Sequence, residues 1–288
     1  MSKGPLIRIL GALRNEPWAI RASALDEMIR LAERREVEIE AMRPAPLPHA
    51  LSRQMERETW ETPKPYVRDG VMVIPVVGPL FAYASWLNDL CGAMSYDMLA
   101  QAFNDGLNNP KVRAILFVHD SPGGQVTGCG EFADMIFRAR GTKPIVNYVN
   151  GSCCSASYWV AAPGDGIVVA PTAMVGCLGV AGSIRDTSEA EKKIGIRTIE
   201  IVSTQTPHKR PDPKTDEGFA QLLRMIDSTA EVFLGDVAKY RGVDRKAVDS
   251  RFGKGAVFVG AEAVAAGLAD DVGTFEDVLA TLVDAASD

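Results

Sequence analysis

The sequence predicts an α/β fold of repeated βαβ units around a largely parallel sheet, with a helical extension ahead of it. Short apolar runs near residues 71–77, 112–118, 144–149, 166–170 and 197–202 have the length and β-branched content of strands. Stretches near 95–108, 127–140, 155–162 and 187–194 lie between them and carry apolar residues at helical spacing. Strands that alternate with helices are joined by crossovers, and crossovers favour parallel pairing. The chain has 288 residues, 47% of them hydrophobic, enough to bury a sizeable core in one large or two small domains.

Each element has its own signal. Asn15-Glu-Pro-Trp18-Ala-Ile20 leads a helix whose start is marked by Ser23 with Asp26 three residues on. Leu25, Met28, Ile29 and Ala32 give that helix an apolar stripe, which fades into a charged tract near Arg34. A Pro-rich connector from Arg43 to Pro65 then leads to the strand Val71-Met-Val-Ile-Pro-Val-Val77. This divides the chain into a helical extension with its linker, residues 1–66, and a main domain, residues 67–288. Further on, Asp216 to Tyr240 places Phe219, Leu222, Leu223, Ile226, Ala230 and Phe233 on one face of a long amphipathic helix.

Two junctions carry chemistry. The strand Pro144-Ile-Val-Asn-Tyr-Val149 ends in a glycine turn, and Asn150-Gly-Ser-Cys-Cys-Ser155-Ala-Ser-Tyr-Trp-Val-Ala161 leads from it into a helix. A serine at such a strand-to-helix junction exposes its oxygen, and the free N–H groups of the first helical turn face any charge that develops beside it. Ser155 is the candidate nucleophile. Small residues also simply let a helix pack closely on a sheet, so the segment alone leaves both readings open. The second junction follows Val112-Arg-Ala-Ile-Leu-Phe-Val118, which runs into His119-Asp-Ser121-Pro-Gly123-Gly124-Gln-Val126 before an amphipathic stretch from Glu131 to Arg140. Two glycines after a proline allow backbone geometry closed to other residues, so their N–H groups can face a ligand instead of a ladder. An ordinary tight turn is the alternative.

Composition narrows the partners. A net charge of −6 argues against nucleic acid as the main partner. The five cysteines, Cys91, Cys129, Cys153, Cys154 and Cys177, are odd in number and lack metal-ligand spacing, which predicts reduced thiols, no disulfide framework and no zinc. The first residues lack the apolar core of a signal peptide, and no apolar run approaches the roughly 20 residues of a membrane span. The expectation is a cytoplasmic protein with no membrane partner.

Ser121-Pro-Gly-Gly124, followed about thirty residues later by Ser155 and Tyr158-Trp-Val-Ala161, resembles the signal peptide peptidase A (protease IV) family of serine peptidases, which share the ClpP/crotonase-type fold. Two later segments extend the resemblance: Val175-Gly-Cys177-Leu-Gly179-Val180, and Phe258-Val-Gly260 through Gly267-Leu-Ala-Asp-Asp-Val272-Gly273. Together the four motifs span roughly residues 70 to 280. The resemblance implies a Ser-Lys dyad, with Lys209 of Ser203-Thr-Gln-Thr-Pro-His208-Lys209-Arg210-Pro-Asp-Pro213 in the base position. An ordinary lysine near pKa 10.4 is a poor base at neutral pH. Lowering one to about 7–8 takes roughly 3–5 kcal/mol of desolvation. His208 as base and Cys154 as nucleophile are the competing assignments. His119 reads as a core or rim residue, and Lys192 and Lys193 as a solvated helix face.

Ala156 and Ser157 stand where relatives carry Gly-Gly, and Cys177 where they carry a serine that helps orient the lysine. The resemblance implies that Lys209 deprotonates Ser155 while the N–H groups of Ala156 and Gly124 hold the oxyanion and Gly123 shapes the turn, with no metal or organic cofactor. Extended substrate would pair as a strand with Thr198–Val202 or beside Gly123. The N-terminal Pro-Trp-Ala-Ile segment and the Pro-His-Lys209-Arg210-Pro loop resemble the bacteriophage and prophage branch, whose members are prohead proteases. That branch implies scaffold and capsid proteins as substrates, a ring-like homo-oligomer and association with proheads in the host cytoplasm. A signal-peptide-peptidase-like bacterial protease, a crotonase-type acyl-CoA enzyme and a catalytically decayed head protein are the other readings.

Overall fold

The structure, a computed structural model, describes residues 17–30, 63–83, 93–184 and 186–285. Its centre is a sheet of parallel strands β3 (Val71–Val77), β6 (Ala114–Ser121), β8 (Ile145–Cys154), β9 (Gly166–Val169) and β10 (Met174–Gly176). Antiparallel strands close its edges: β2 (Tyr66–Arg68) on β3 and β11 (Val257–Val259) on β10. The short β12 (Asp271–Val272) pairs parallel with β9. A second sheet orders β1 (Trp18–Ile20), β7 (Gly123–Gln125), β4 (Leu80–Phe81) and β5 (Met94–Ser95).

The helices are α1 (residues 22–30), α2 (Tyr96–Asn108), α3 (Cys129–Arg138), α4 (Ala156–Ala161), α5 (Ser188–Lys193), α6 (Asp216–Arg241), α7 (Arg245–Arg251), α8 (Ala261–Ala266) and α9 (Phe275–Ala285). Alternation along β6 explains the layering. Ile115 and Phe117 face the larger core with Phe103 and Phe132 of α2 and α3, whereas Ala114 and Leu116 face Val278, Leu279 and Leu282 of α9. Ser95 caps α2 by accepting from Met98 N at 3.3 Å, and Thr215 caps α6 by accepting from Gly218 N at 3.1 Å.

The alternation of strands and helices and the parallel sheet agree with the sequence. Four differences bear on the site. Trp18–Ile20, read with the N-terminal helix, is a strand of the second sheet, because Gly123 and Gly124 offer it a side-chain-free edge. The strand predicted at 144–149 continues to Cys154 instead of turning at Gly151. Its far end pairs with β10, and Asp120 Oδ1 accepts from Ser152 N at 3.1 Å. Ser121-Pro-Gly-Gly is not a local turn but the passage from one sheet to the other. The apolar run at 197–202 forms no strand: Ile199 and Ile201 are 70% and 91% exposed, and the alternating pattern finds no neighbouring strand among the described residues. Ala32, the charged tract, most of the Pro-rich connector and Cys91 lie outside the described residues.

Candidate active site

Ser155 sits where β8 hands over to α4, with φ +56° and ψ −118°, a backbone conformation that L-residues other than glycine rarely adopt. The strain persists because both flanks are anchored. Ser155 N donates to Gly176 O at 2.8 Å, and α4 is entirely buried. Tyr158 donates its hydroxyl to Leu268 O at 2.9 Å, and Trp159 stacks on Phe233 with centroids 4.5 Å apart while its indole N–H reaches Asp236 at 3.0 Å. The serine motif is therefore braced on two sides, by Leu268 of the C-terminal motif through Tyr158 and by α6 through Trp159. Ala156, the first helical residue, has an N–H with no intrahelical acceptor.

The glycine strand lies against this junction. Gly123 has φ +107°, and a Cβ there would stand 3.0 Å from Cys154 O and 2.3 Å from Ala19 O. At Gly124 a Cβ would meet Leu80 O at 2.1 Å, so neither position admits a side chain. Gly123 N donates to Ser121 Oγ at 3.2 Å, while Gly124 lies in a ladder opposite Ala19. In this arrangement the Gly124 position is occupied by backbone of the same chain.

A buried polar network supports the nucleophile from below. His119 Nδ1 and Ser157 Oγ are 2.9 Å apart, His119 Nε2 and Asn147 Oδ1 are 3.0 Å apart, and Asn147 Nδ2 donates to Ala161 O at 3.0 Å. Burial lowers His119 to about 4, against the opposing hydrogen bond to Asn147, so the imidazole is neutral. It is a satisfied core residue, one of the roles its position at a strand end suggested. Ser157 faces this network and not the glycine strand. Burial pushes the Cys154 thiol up to about 12, with neighbouring Cys177 adding and Arg21 opposing, so little nucleophilic thiolate forms there.

The base side is different. The Ser155 hydroxyl donates to Gly179 O at 3.3 Å. Lys209 ends a 3-10 turn, Pro207–Lys209, whose residues are all exposed, and among the described residues no hydrogen bond or ion pair holds its ammonium. Among the described residues nothing supplies the desolvation that a lysine base needs, since residues 182–184 and 186–217 are exposed almost throughout. Exposed contacts tether it: Gln221 Nε2 donates to His208 O at 2.7 Å, His208 approaches Glu217 at 3.7 Å, and Arg210 pairs with Glu200 at 2.7 Å. Lys192 is on an exposed helix face, paired with Glu189 at 2.6 Å, and Lys193 is likewise exposed.

Sequence reasoning singled out Cys177 as a departure from relatives but missed its strained backbone, and it missed Arg21 altogether. Cys177 has φ +55°, a second strained residue beside the serine, and its N–H donates to Ala256 O at 2.7 Å. Arg21 reaches the same spot from the N-terminal segment, with Nη1 3.8 Å from Met174 Sδ. No periodicity marks either one, since both act through a tertiary approach.

The sequence pattern of the family described as Peptidase family S49 matches residues 138–287. The chain is 30% identical over 223 residues to the capsid assembly protease C of Escherichia phage lambda, covering 76% of this chain and 50% of that protein. It is 28% identical over 221 residues to the head-tail preconnector protein GP5 of Enterobacteria phage P21, covering 76% and 44%, and 27% identical over 191 residues to Protease 4 of Salmonella typhi, covering 66% and 31%. The chain thus spans about half or less of the length of these relatives. Among solved structures it aligns with an enoyl-CoA hydratase/isomerase family member at 18% identity and a TM-score of 0.40, over 78% of this chain and 75% of the other.

Proposed function

The chain belongs to peptidase family S49, and from that premise we propose that it is a serine endopeptidase in which Ser155 is the nucleophile and Lys209 the base, acting on scaffold and capsid proteins during phage head maturation. The observation that carries this reading is Ser155 itself, a strained, anchored serine whose neighbouring N–H donor, Ala156, lies next to the glycine strand. Lys209 takes the Ser155 proton as the oxygen attacks a peptide carbonyl. The N–H groups of Ala156 and Gly124 hold the oxyanion, each worth about 3 kcal/mol in such sites. The leaving amine takes a proton as the acyl-enzyme forms, and water releases the acyl group.

Lys209 is solvated in the protomer, so this chemistry requires something to cover it. Ile194, Ile196, Ile199, Ile201, Phe219 and Leu223 are exposed on the same part of the chain. Burial of that apolar surface by a second copy would both drive assembly and desolvate the turn, which suits a ring-like homo-oligomer. The same exposure also favours a second reading, a head-associated structural protein without catalysis. Among the described residues no helix is long and apolar enough to cross a membrane.

Fluorophosphonate labelling of the purified protein, followed by mass spectrometry after incubation with scaffold and capsid proteins, tests the proposal. Modification at Ser155 together with discrete cleavage products is expected. A well-folded oligomer that neither labels nor cleaves would favour the structural reading, and acyl-CoA turnover without labelling would point to crotonase-type chemistry.

A further inference from the structure

The strand that lies beside the nucleophile belongs to the chain's own N-terminal segment, and it is held on both edges. On one side Trp18, Ala19 and Ile20 stand opposite Gln125, Gly124 and Gly123, and Arg21 N donates to Pro122 O at 3.0 Å. Hydrogen-bonded pairs alternate in an antiparallel ladder, so Ala19 and Gly124 form the next such pair. On the other side Trp18 N donates to Ala181 O and Ala181 N to Trp18 O, both at 2.9 Å. Successive residues thus direct their backbone groups to opposite neighbours, as an extended peptide does when clamped between two strands.

Those neighbours are the elements of the site. One is the glycine strand, and the other follows Gly179, whose carbonyl takes the Ser155 hydroxyl. With the strand in place, Ser155 is 1% exposed. Arg21 follows directly. Its charge acts on Cys154 and Cys177, and its Nε is buried with no hydrogen-bond partner among the described residues. An unsatisfied buried donor carries a desolvation penalty, so this end of the contact favours release.

We propose that Pro17–Arg21 is a built-in substrate mimic: it fills the backbone slot beside Ser155 and must leave before an extended peptide can enter. The proposal rests on the peptidase reading for its consequence, though not for the occupancy of the slot. The mimic also describes its competitor. Trp18 and Ile20 fall on one face, where Trp18 meets Phe81 edge-on with centroids 5.9 Å apart, and the small Ala19 lies between them against the glycines. The class of peptide that fits is an extended segment with large apolar residues two apart around a small one. Trp18 and Ile20 cluster with Leu25 and Met28 of α1 and with Phe81 of β4, and of this strand only the small Ala19 enters the main core, so strand and helix can detach together with little loss of main-core packing.

Hydrogen exchange on the full-length Ser155→Ala protein is the deciding experiment, with a synthetic peptide of residues 15–22 as the probe. Adding the peptide is expected to speed exchange at the amides of residues 18–20 by about tenfold or more while those of 123–125 stay protected. Unchanged protection at 18–20 up to millimolar peptide overturns the proposal. In the wild type, Ala19→Pro removes one ladder donor. If this variant folds, Ser155 is expected to label with fluorophosphonate about tenfold faster than in the wild type. Release of residues 18–20 by peptide without any labelling would keep the mimic and sink the peptidase reading. Substrate turnover with residues 18–20 still protected would sink the mimic alone.

Discussion

Ser155 and Lys209 stand in opposite environments. Ser155 is fixed at a strained dihedral by a buried helix, a stacked Trp159–Phe233 pair and a neutral histidine network. Lys209 ends an exposed turn held only by surface hydrogen bonds and ion pairs, of a kind worth about 0–1 kcal/mol each. α6 shows the same contrast within one helix. Phe233, Val237 and Tyr240 are buried, whereas Phe219, Leu223 and Met225, about two to four turns before Phe233, are exposed. Ser155 is fixed by the folding of the chain itself, whereas Lys209, the proposed base, would be covered only in the proposed assembly.

The largest effect should come from the preformed half. Ser155→Ala is expected to lower proteolysis by about 10³-fold or more with the fold and assembly unchanged. Labelling should vanish with it. A Ser155→Ala protein that still cut scaffold at close to the wild-type rate would move the nucleophile to another residue.

On the exposed half, Lys209→Arg should cost about 10²- to 10⁴-fold in activity, because a guanidinium keeps its proton at accessible pH. His208→Ala should remain active. The reverse pattern, with Lys209→Arg active and His208→Ala inactive, would replace the lysine by the histidine.

Acid titration reports the buried half separately. His119 is lowered to about 4 in the folded protein, against about 6.5 when unfolded, so the unfolded chain binds its proton first. Stability should be full above about pH 6.5, decline as pH falls towards 4 and level off below, by about 3 kcal/mol in all from this residue. Urea midpoints at several pH values for the wild type and His119→Gln measure it. Parallel slopes for the two proteins would refute the assignment.

A species larger than a dimer is expected by light scattering, and Ile201→Ser with Phe219→Ser should shift it to smaller species while changing protomer stability by no more than about 0.5 kcal/mol. An active monomer at micromolar concentration would remove the need for a cover. The smallest effect is expected at Cys154→Ala, which should keep activity within about twofold because its thiol stays protonated. A large loss of labelling there would reopen the thiol as nucleophile.

Much of this was legible in the residues. Strand and helix periods located β3, β6, β9, α2, α3, α4 and α6 to within a few residues, since each buries a face that its own sequence spells out. The unusual backbone at the glycines was legible because geometry leaves a mark in residue type, since only glycine fits at Gly123 and Gly124, but the sequence read them as a turn and the structure places them in a ladder. The run at 197–202 misled because alternation states a tendency to pair but not whether a partner exists. Trp18–Ile20 misled differently, since three residues are too few to carry a period and their state is decided by the strand that receives them.

The sequence by itself determined the layered α/β order, the core faces and the two junctions, because these depend on local spacing and on residues within one or two elements. Only the tertiary structure decided what meets at the junctions. It brings Arg21 and Trp18 across about 100 to 160 residues to Pro122, Ala181 and Cys177, and it leaves Lys209 in solvent. Such approaches depend on the closure of the whole sheet, and no short window of sequence contains that information.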